Sequence, residues 1–438
     1  MKIQKDLAGF KFLSDDTRDL ISSDVLFVKT PQNAKYVKSR ENAPFIEFEN
    51  LADHFNFDFK LLGISGTNGK STTAHLLHFA LNEAGFKAGL IGTSGAFFGN
   101  MKLADKGLTT PMILELYGIL DQLNDLGAQY VIMEVSSHAI VQKRCFGLNF
   151  YAKFLTNITQ DHLDFHKDIK TYRAVKNAFL TNFNDAKMEA KYSFINADDN
   201  FIDAQNAIQI SLKNEAICHA KNISLKPAIY ADLVLFGKSY ALNSALLGRH
   251  NLYNLLFCAS FLAREFGDLE PFLPIIARFN GVFGRCEIVC KEPLVIVDFA
   301  HTPDGLKNIF ESFLDFEIWA LFGAGGDRDP TKRKIMGQIA SKYCKKIYLT
   351  SDNPRSEAPL KIIDDILQGI NGAVQVCENR FEAINKAISD LAITSGQKIV
   401  LLILGKGDES VQILKDREIP FDDREVARNA LIQNHAKI

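Results

Sequence analysis

Leu61 to Ser65 is a short apolar run that passes directly into Gly66-Thr67-Asn68-Gly69-Lys70-Ser71-Thr72, at the head of a stretch with helical periodicity. A strand that turns through glycines into a helix commits its surroundings to an α/β layer, with ligands at the carboxyl edge of a mostly parallel sheet. The glycines let backbone amides face a phosphate, and the helix N-terminus adds positive potential. Lys70 supplies a point charge and Ser71 a hydroxyl for Mg²⁺. The spacing is not the strict G-x-x-x-x-G-K-[ST], because Ile64 stands five residues before Gly69, and a Gly-rich turn capping a helix is the plain alternative.

The same rhythm recurs along the chain. YVIMEV leads into SSHAIVQ, and from Glu287 the units PLVIVDFA, EIWALFGAGG, KIYLTSD and KIVLLILGKG follow as strand-plus-loop pieces. A length of 438 residues fits two or three domains better than one. The stretch PFLPIIARFNGVFGR, with Pro and Gly around a short helix, marks the junction between the two α/β parts. Residues 1–58 read as a small mixed segment with a strand at Val25 to Val28 and a polar stretch from Thr30 to Glu41. The expected division is 1–58, 59–284 and 285–438.

Fifty Lys+Arg against 52 Asp+Glu leave a net charge of −2, so no global basic field collects nucleic acid or anionic lipid, and neither is expected as a partner. Seven cysteines without a C-x-x-C pair argue against a disulfide scaffold and a Cys-rich zinc site. The first residues lack a signal-peptide apolar core, and a soluble cytoplasmic protein is expected.

Single residues are less decisive. Glu134 ends an apolar strand where a hard oxygen could serve Mg²⁺, although an exposed strand-end carboxylate reads equally well. His162 and His166 have i, i+4 spacing, but no Glu follows His162, so a zinc helix is rejected. Lys176 alone reads as a solvated helix lysine.

Taken together, GTNGKST, TTP (109–111), EVSSH (134–138), NITQDHLDFH (157–166), YRAVK (172–176), GRHNLYN (248–254), VDFAHTPD (297–304), FGAGGDRD (322–329) and DNPRSE (352–357) resemble the ordered motifs of the Mur ligases. The resemblance spans about residues 60–438. It implies a three-domain ATP-dependent amide ligase: a small N-terminal α/β domain for the UDP moiety, a central P-loop ATPase domain, and a C-terminal Rossmann-like domain for an incoming amino acid. It further implies the substrates UDP-MurNAc-L-Ala-D-Glu and meso-diaminopimelate, ATP with Mg²⁺, and a monomer.

By the same resemblance Gly66 to Thr72 cradle ATP, with Lys70 on the phosphates. Ser71 and Glu134 serve one Mg²⁺ and His162 a second. Lys176 stands at the family's carbamylated lysine. Asn251, Arg285 and Asp298 lie on the adenosine side, with Arg285 also near phosphate. Thr109, Thr110, Ser136, Gln142 and Arg144 hold the muramyl dipeptide. Arg333, Asp352, Asn353, Pro354, Arg355, Gly405 and Glu409 surround the amino acid. DNPR resembles the motif of diaminopimelate-adding members, and Arg355 could grip the distal carboxylate that lysine lacks.

Two departures stand out. The amino-terminal part is shorter than the usual hundred or so residues, with only DTR (16–18) and DVLFV (24–28) similar to family motifs, so no uridine contact is assigned. GKGDE places Asp408 where the family pattern has histidine. The rival readings are a folylpolyglutamate synthetase, which is not expected to carry both EVSSH and DNPR, and a nucleotide-binding switch without net turnover.

Overall fold

The computed structural model describes residues 1–37, 44–181, 190–204, 206–225, 228–394 and 398–435. Three sheets carry the chain, with one small additional hairpin. The first has four strands in sequence order: Lys2–Leu7, Phe10–Ser14, Val25–Lys29 and Phe45–Glu47. The opening pair is antiparallel and the others are parallel. The strand at Val25 is the expected one. Of the polar stretch from Thr30, Ala34–Val37 is a single helical turn, and residues 38–41 lie outside the described residues.

The middle sheet has eleven strands. Lys60–Ser65 lies at its centre between Ala152–Leu155 and Tyr130–Glu134, parallel to both. Antiparallel strands close its two edges, through Ile229–Leu235 and Lys238–Ser244 on one side and Gly95–Phe98 and Met101–Ala104 on the other. Strand side chains alternate between faces. Leu62, Ile64 and Ile132 therefore join one buried cluster with Leu76, Leu77 and Phe261 of the helices Lys70–Glu83 and Arg249–Phe266. Leu61, Val131 and Met133 join the opposite cluster with Leu120 of Ile113–Asp125 and Phe179 of Ile169–Thr181. Cover on both faces is why these strands read as continuous apolar runs.

Among the described residues, the N-terminal sheet has no core cluster apart from this one. Ile3, Leu13, Leu26 and Val28 belong to the same cluster as Leu61 and Leu120, and Lys5 Nζ donates to Asp121 Oδ1 at 2.8 Å. The short helix Leu273–Ala277 likewise buries Ile275 and Ile276 in the middle core, so the chain crosses to the last sheet through Gly281 and Gly284, both at positive φ.

The last sheet has six strands. Leu294–Asp298, Ile399–Leu404, Glu317–Phe322 and Lys346–Leu349 are adjacent and parallel. Pro303–Glu311, Thr331–Tyr343 and Pro359–Leu367 cover one face, and Arg380–Ala392 and Asp423–His435 the other. No helix among the described residues is long and apolar enough to cross a membrane.

Candidate active site

The carboxyl edges of the two large sheets face one cleft of about 650 Å³. On the middle side the chain leaves Ser65 and turns through Gly66 (φ +145°) and Gly69 (φ +87°) into the helix that starts at Lys70. A Cβ on Gly66 would fall 1.9 Å from Thr156 Oγ1, and one on Gly69 2.6 Å from Asn254 Oδ1, so the loop needs glycine twice over. Asn157 braces it: its carbonyl accepts from Thr67 N at 2.9 Å and its Oδ1 from Asn68 N at 2.8 Å. Lys70 Nζ folds back onto the Gly66 and Thr67 carbonyls at 2.9 and 2.8 Å, and desolvation lowers its pKa. Thr67 to Thr72 all line the cleft.

Glu134 is wholly buried at the end of its strand. Its Oε2 accepts from Ser71 Oγ at 2.9 Å and its Oε1 from Thr93 N at 2.9 Å. Thr93 Oγ1 lies 3.1 Å from Thr109 Oγ1. Thr110 Oγ1 donates to the Glu134 carbonyl at 2.9 Å and accepts from Ser136 N at 3.0 Å, while Arg144 Nη1 donates to the Thr110 carbonyl and Nε to Gln142 Oε1. Thr109, Thr110, Ser136, Gln142 and Arg144 thus form one connected network with Glu134, and of those five only Thr109 lines the cleft wall, together with Glu134.

Lys176 is no solvated helix lysine. It is 1% exposed behind the phosphate loop, where Nζ donates to the Gly66 carbonyl at 2.9 Å and to Ser65 Oγ at 3.2 Å. Burial, with the nearby charge of Lys70 adding to it, pushes this amine well below the usual lysine range. His162 sits on the cleft wall with left-handed backbone (φ +55°), and burial lowers its imidazole to about 3. Beside it, Asp161 is approached at 3.8 Å by His301 and at 3.6 Å by Lys332, both from the last sheet's side. Burial alone would raise Asp161, but His162, Lys332 and His301 beside it, with the hydrogen bond from the His162 N–H, hold it well below the ordinary carboxylate range.

Across the cleft, Asp298 accepts from Cys286 N at 2.6 Å and Ala300 N at 2.7 Å, and the Arg285 guanidinium lies 4.0 Å from the Phe299 ring centre. Asn251 is held by the Leu247 carbonyl at 2.9 Å and by Asn254 Nδ2 at 3.0 Å. Asp352, Asn353, Arg355, Gly405 and Glu409 line the same cleft. Asn353 Nδ2 donates to Glu409 Oε2 at 2.7 Å, and the buried Lys406 Nζ donates to the same oxygen at 2.9 Å. Gly405 (φ +114°) leaves room for Asp352, whose Oδ2 an added Cβ would approach to 2.4 Å. Arg355 also has positive φ, +51°, and its Nη1 donates to the Gly326 carbonyl at 3.0 Å. Beneath both loops the fully buried Arg380, paired with Asp423, donates to the Ser351 and Leu404 carbonyls.

Some expected residues stand off the wall. Gly66, Lys176 and Pro354 lie behind it. Arg333 differs most: at 1% exposure its guanidinium is consumed by Glu357, Asp365 and the Gly325 carbonyl. The arginine that faces the cleft from this region is Arg328, with Asp164 4.0 Å away across it. Sequence reasoning passed over Arg328, Asp161, Lys332 and His301. The signal for them was position: each lies in or beside a motif already singled out.

Known proteins match this arrangement. The Mur ligase middle domain matches residues 64–262, and the Mur ligase glutamate ligase domain matches residues 284–407. A UDP-N-acetylmuramoyl-L-alanyl-D-glutamate--2,6-diaminopimelate ligase of Helicobacter pylori is 45% identical, with 98% of each chain covered. That of Wolinella succinogenes is 43% identical over 98% of each. A solved structure of a ligase with this name is 27% identical, with a TM-score of 0.65 over 97% of this chain and 95% of that one. Two domain matches that meet across the cleft, and identity sustained over nearly the whole length, have one explanation: the chain belongs to the Mur ligase family.

Proposed function

We propose that this chain joins meso-diaminopimelate to UDP-MurNAc-L-Ala-D-Glu at the expense of ATP, forming the UDP-MurNAc-tripeptide of peptidoglycan synthesis and releasing ADP and phosphate. The observation that carries this reading is one cleft lined both by Lys70, Ser71 and Glu134 and by Asn353, Arg355 and Glu409. The names of the full-length relatives support the choice of substrates. In this reading residues 1–58 hold the UDP moiety, 59–284 the ATP, and 285–438 the amino acid. The enzyme acts as a monomer in the reducing cytoplasm, which suits seven cysteines none of which forms a disulfide among the described residues.

A carboxylate is a poor electrophile at neutral pH. The D-glutamyl side-chain carboxylate therefore attacks the γ-phosphorus of ATP, giving an acyl phosphate and ADP. The diaminopimelate amine attacks that carbonyl, loses a proton, and expels phosphate as the amide forms. Bringing two anions together is a problem of charge and positioning, which Lys70 and Arg285 address from opposite walls.

The Ser71 hydroxyl and Glu134 carboxylate are hard oxygen donors 2.9 Å apart beside the phosphate cradle, a donor set that fits Mg²⁺. No group of three His, Cys, Asp or Glu side chains among the described residues forms a metal site by itself, so phosphate oxygens would complete the shell. His162 and a carbamate on Lys176 would serve a second ion. Mg²⁺, when bound, offsets charge on the transferring phosphoryl group. Burial pushes the Lys176 amine well below the usual lysine range, which favours its neutral form, the form that adds to CO₂ with release of a proton.

The test is the product made from ATP, UDP-MurNAc-L-Ala-D-Glu and an equal mixture of meso-diaminopimelate and L-lysine, read by mass spectrometry. The diaminopimelate tripeptide is expected. A lysine product, or none, overturns the assignment.

A further inference from the structure

The loop that carries Thr109 and Thr110 and the turn that carries Gly405 and Glu409 come from opposite sides of the cleft, and one contact joins them. Lys106 Nζ donates to Asp408 Oδ2 at 2.7 Å and to the Asp408 carbonyl at 3.0 Å. The other carboxylate oxygen, Asp408 Oδ1, is buried without a hydrogen-bond partner among the described residues. Arg285 Nη2 lies 4.0 Å from it. The turn is pressed against this arginine's own backbone: a Cβ on Gly284 (φ +65°) would fall 2.1 Å from Asp408 N. Arg424 also faces Asp408 but is engaged by Asp422 and Glu287.

We propose that Lys106 and Asp408 are a positioning pair for the ligation, an inference that rests on the ligase reading above. Neither side chain lines the cleft. They act through residues that do: Lys106 carries the loop of Thr109, and Asp408 precedes Glu409 and supplies the counter-charge that sets Arg285. A carboxylate can serve both cations at once through its two oxygens. Because Asp408 stands where the family pattern has histidine, the resemblance does not imply this pair. The Lys106 side chain is 37% exposed and that of Asp408 only 14%, so the contact is partly shielded from solvent and weakened by salt only in part.

The test is a double-mutant cycle on the full chain with Lys106→Met, Asp408→Asn and both together, measuring KM for each substrate, kcat and melting temperature. Each single change should raise KM for the muramyl dipeptide by about three- to tenfold. The double variant should be no worse than the poorer single. Asp408→Asn should also lower kcat, through Arg285, and Asp408→Glu should recover most of it. Additive losses, or a lower melting temperature with KM and kcat unchanged, overturn the pair. A wild-type enzyme that makes no tripeptide instead overturns the ligase reading, so the two failures are distinct.

Discussion

At the scale of single residues, environment decides what a side chain can do, and Lys176 is the clearest case. In the sequence it is one helix lysine among many; in the fold it is enclosed behind the phosphate loop with two hydrogen bonds. Lys176→Ala should abolish ligation, and short carboxylates added to the variant should restore part of it by standing in for a carbamate. A high-resolution map showing a free ammonium with metals bound would refute the modification. Arg333 shows the reverse error. It is adjacent to Lys332 on the helix Thr331–Tyr343, and one residue is about 100° of helical turn. Lys332 therefore reaches the cleft while Arg333 turns inward to Glu357 and Asp365. Arg355 remains on the wall, with Arg328 beside it. A hydrogen bond to a charged group contributes roughly 1.5 to 3 kcal/mol, or about 10- to 150-fold. Arg355→Ala should lower kcat/KM for diaminopimelate by at least that factor, leave ATP binding nearly unchanged, and narrow the preference over lysine. Undiminished discrimination in competition kinetics would move specificity to Arg328 or Glu409.

At the scale of elements, the sequence was most legible where strands are covered on both faces. Leu61–Ser65, Tyr130–Met133 and the four apolar runs after Glu287 are all strands paired in parallel with a neighbour. The strands Cys218–Ser224, Ile229–Leu235 and Lys238–Ser244 were not read, because alternating polar residues such as His219, Lys221 and Asp232 interrupt any apolar run. Lys2–Leu7 was missed for the same reason: only Ile3 is deeply buried, and Lys5 and Asp6 mask the pattern. The phosphate loop was legible because its glycines are obligatory. Gly66→Ala must both adopt φ near +145° and displace Thr156. That should cost about 1 to 3 kcal/mol of stability and weaken ATP binding at least tenfold, a loss that titration calorimetry with the folded variant would detect. Wild-type affinity would mean the loop relaxes around the methyl group.

At the scale of the whole molecule, near-balanced charge leaves little net repulsion to govern stability around neutral pH, so buried groups that titrate there carry the pH dependence. Burial lowers His78 and His166 to about 4 and lowers His250 as well. His78 Nε2 and His250 Nδ1 have no hydrogen-bond partner among the described residues, so neither ring has a site ready for an added proton. In the unfolded chain these imidazoles titrate near 6.5. Between about pH 6.5 and 4 the unfolded state therefore binds protons that the folded state does not. Stability must rise with pH in that window and fall on acidification, by at most about 1.4 kcal/mol per pH unit for each histidine. Paired carboxylates such as Asp390, held below the usual range by Lys346, Lys386 and Tyr348 against the opposing effect of burial, add their own loss only at lower pH. Urea midpoints of the ligand-free protein should thus already decline between about pH 6.5 and 5, before the carboxylates protonate. His78→Gln should flatten the upper part of that decline. A midpoint constant from pH 7 to 5 would show that these histidines protonate in the fold as readily as in the open chain.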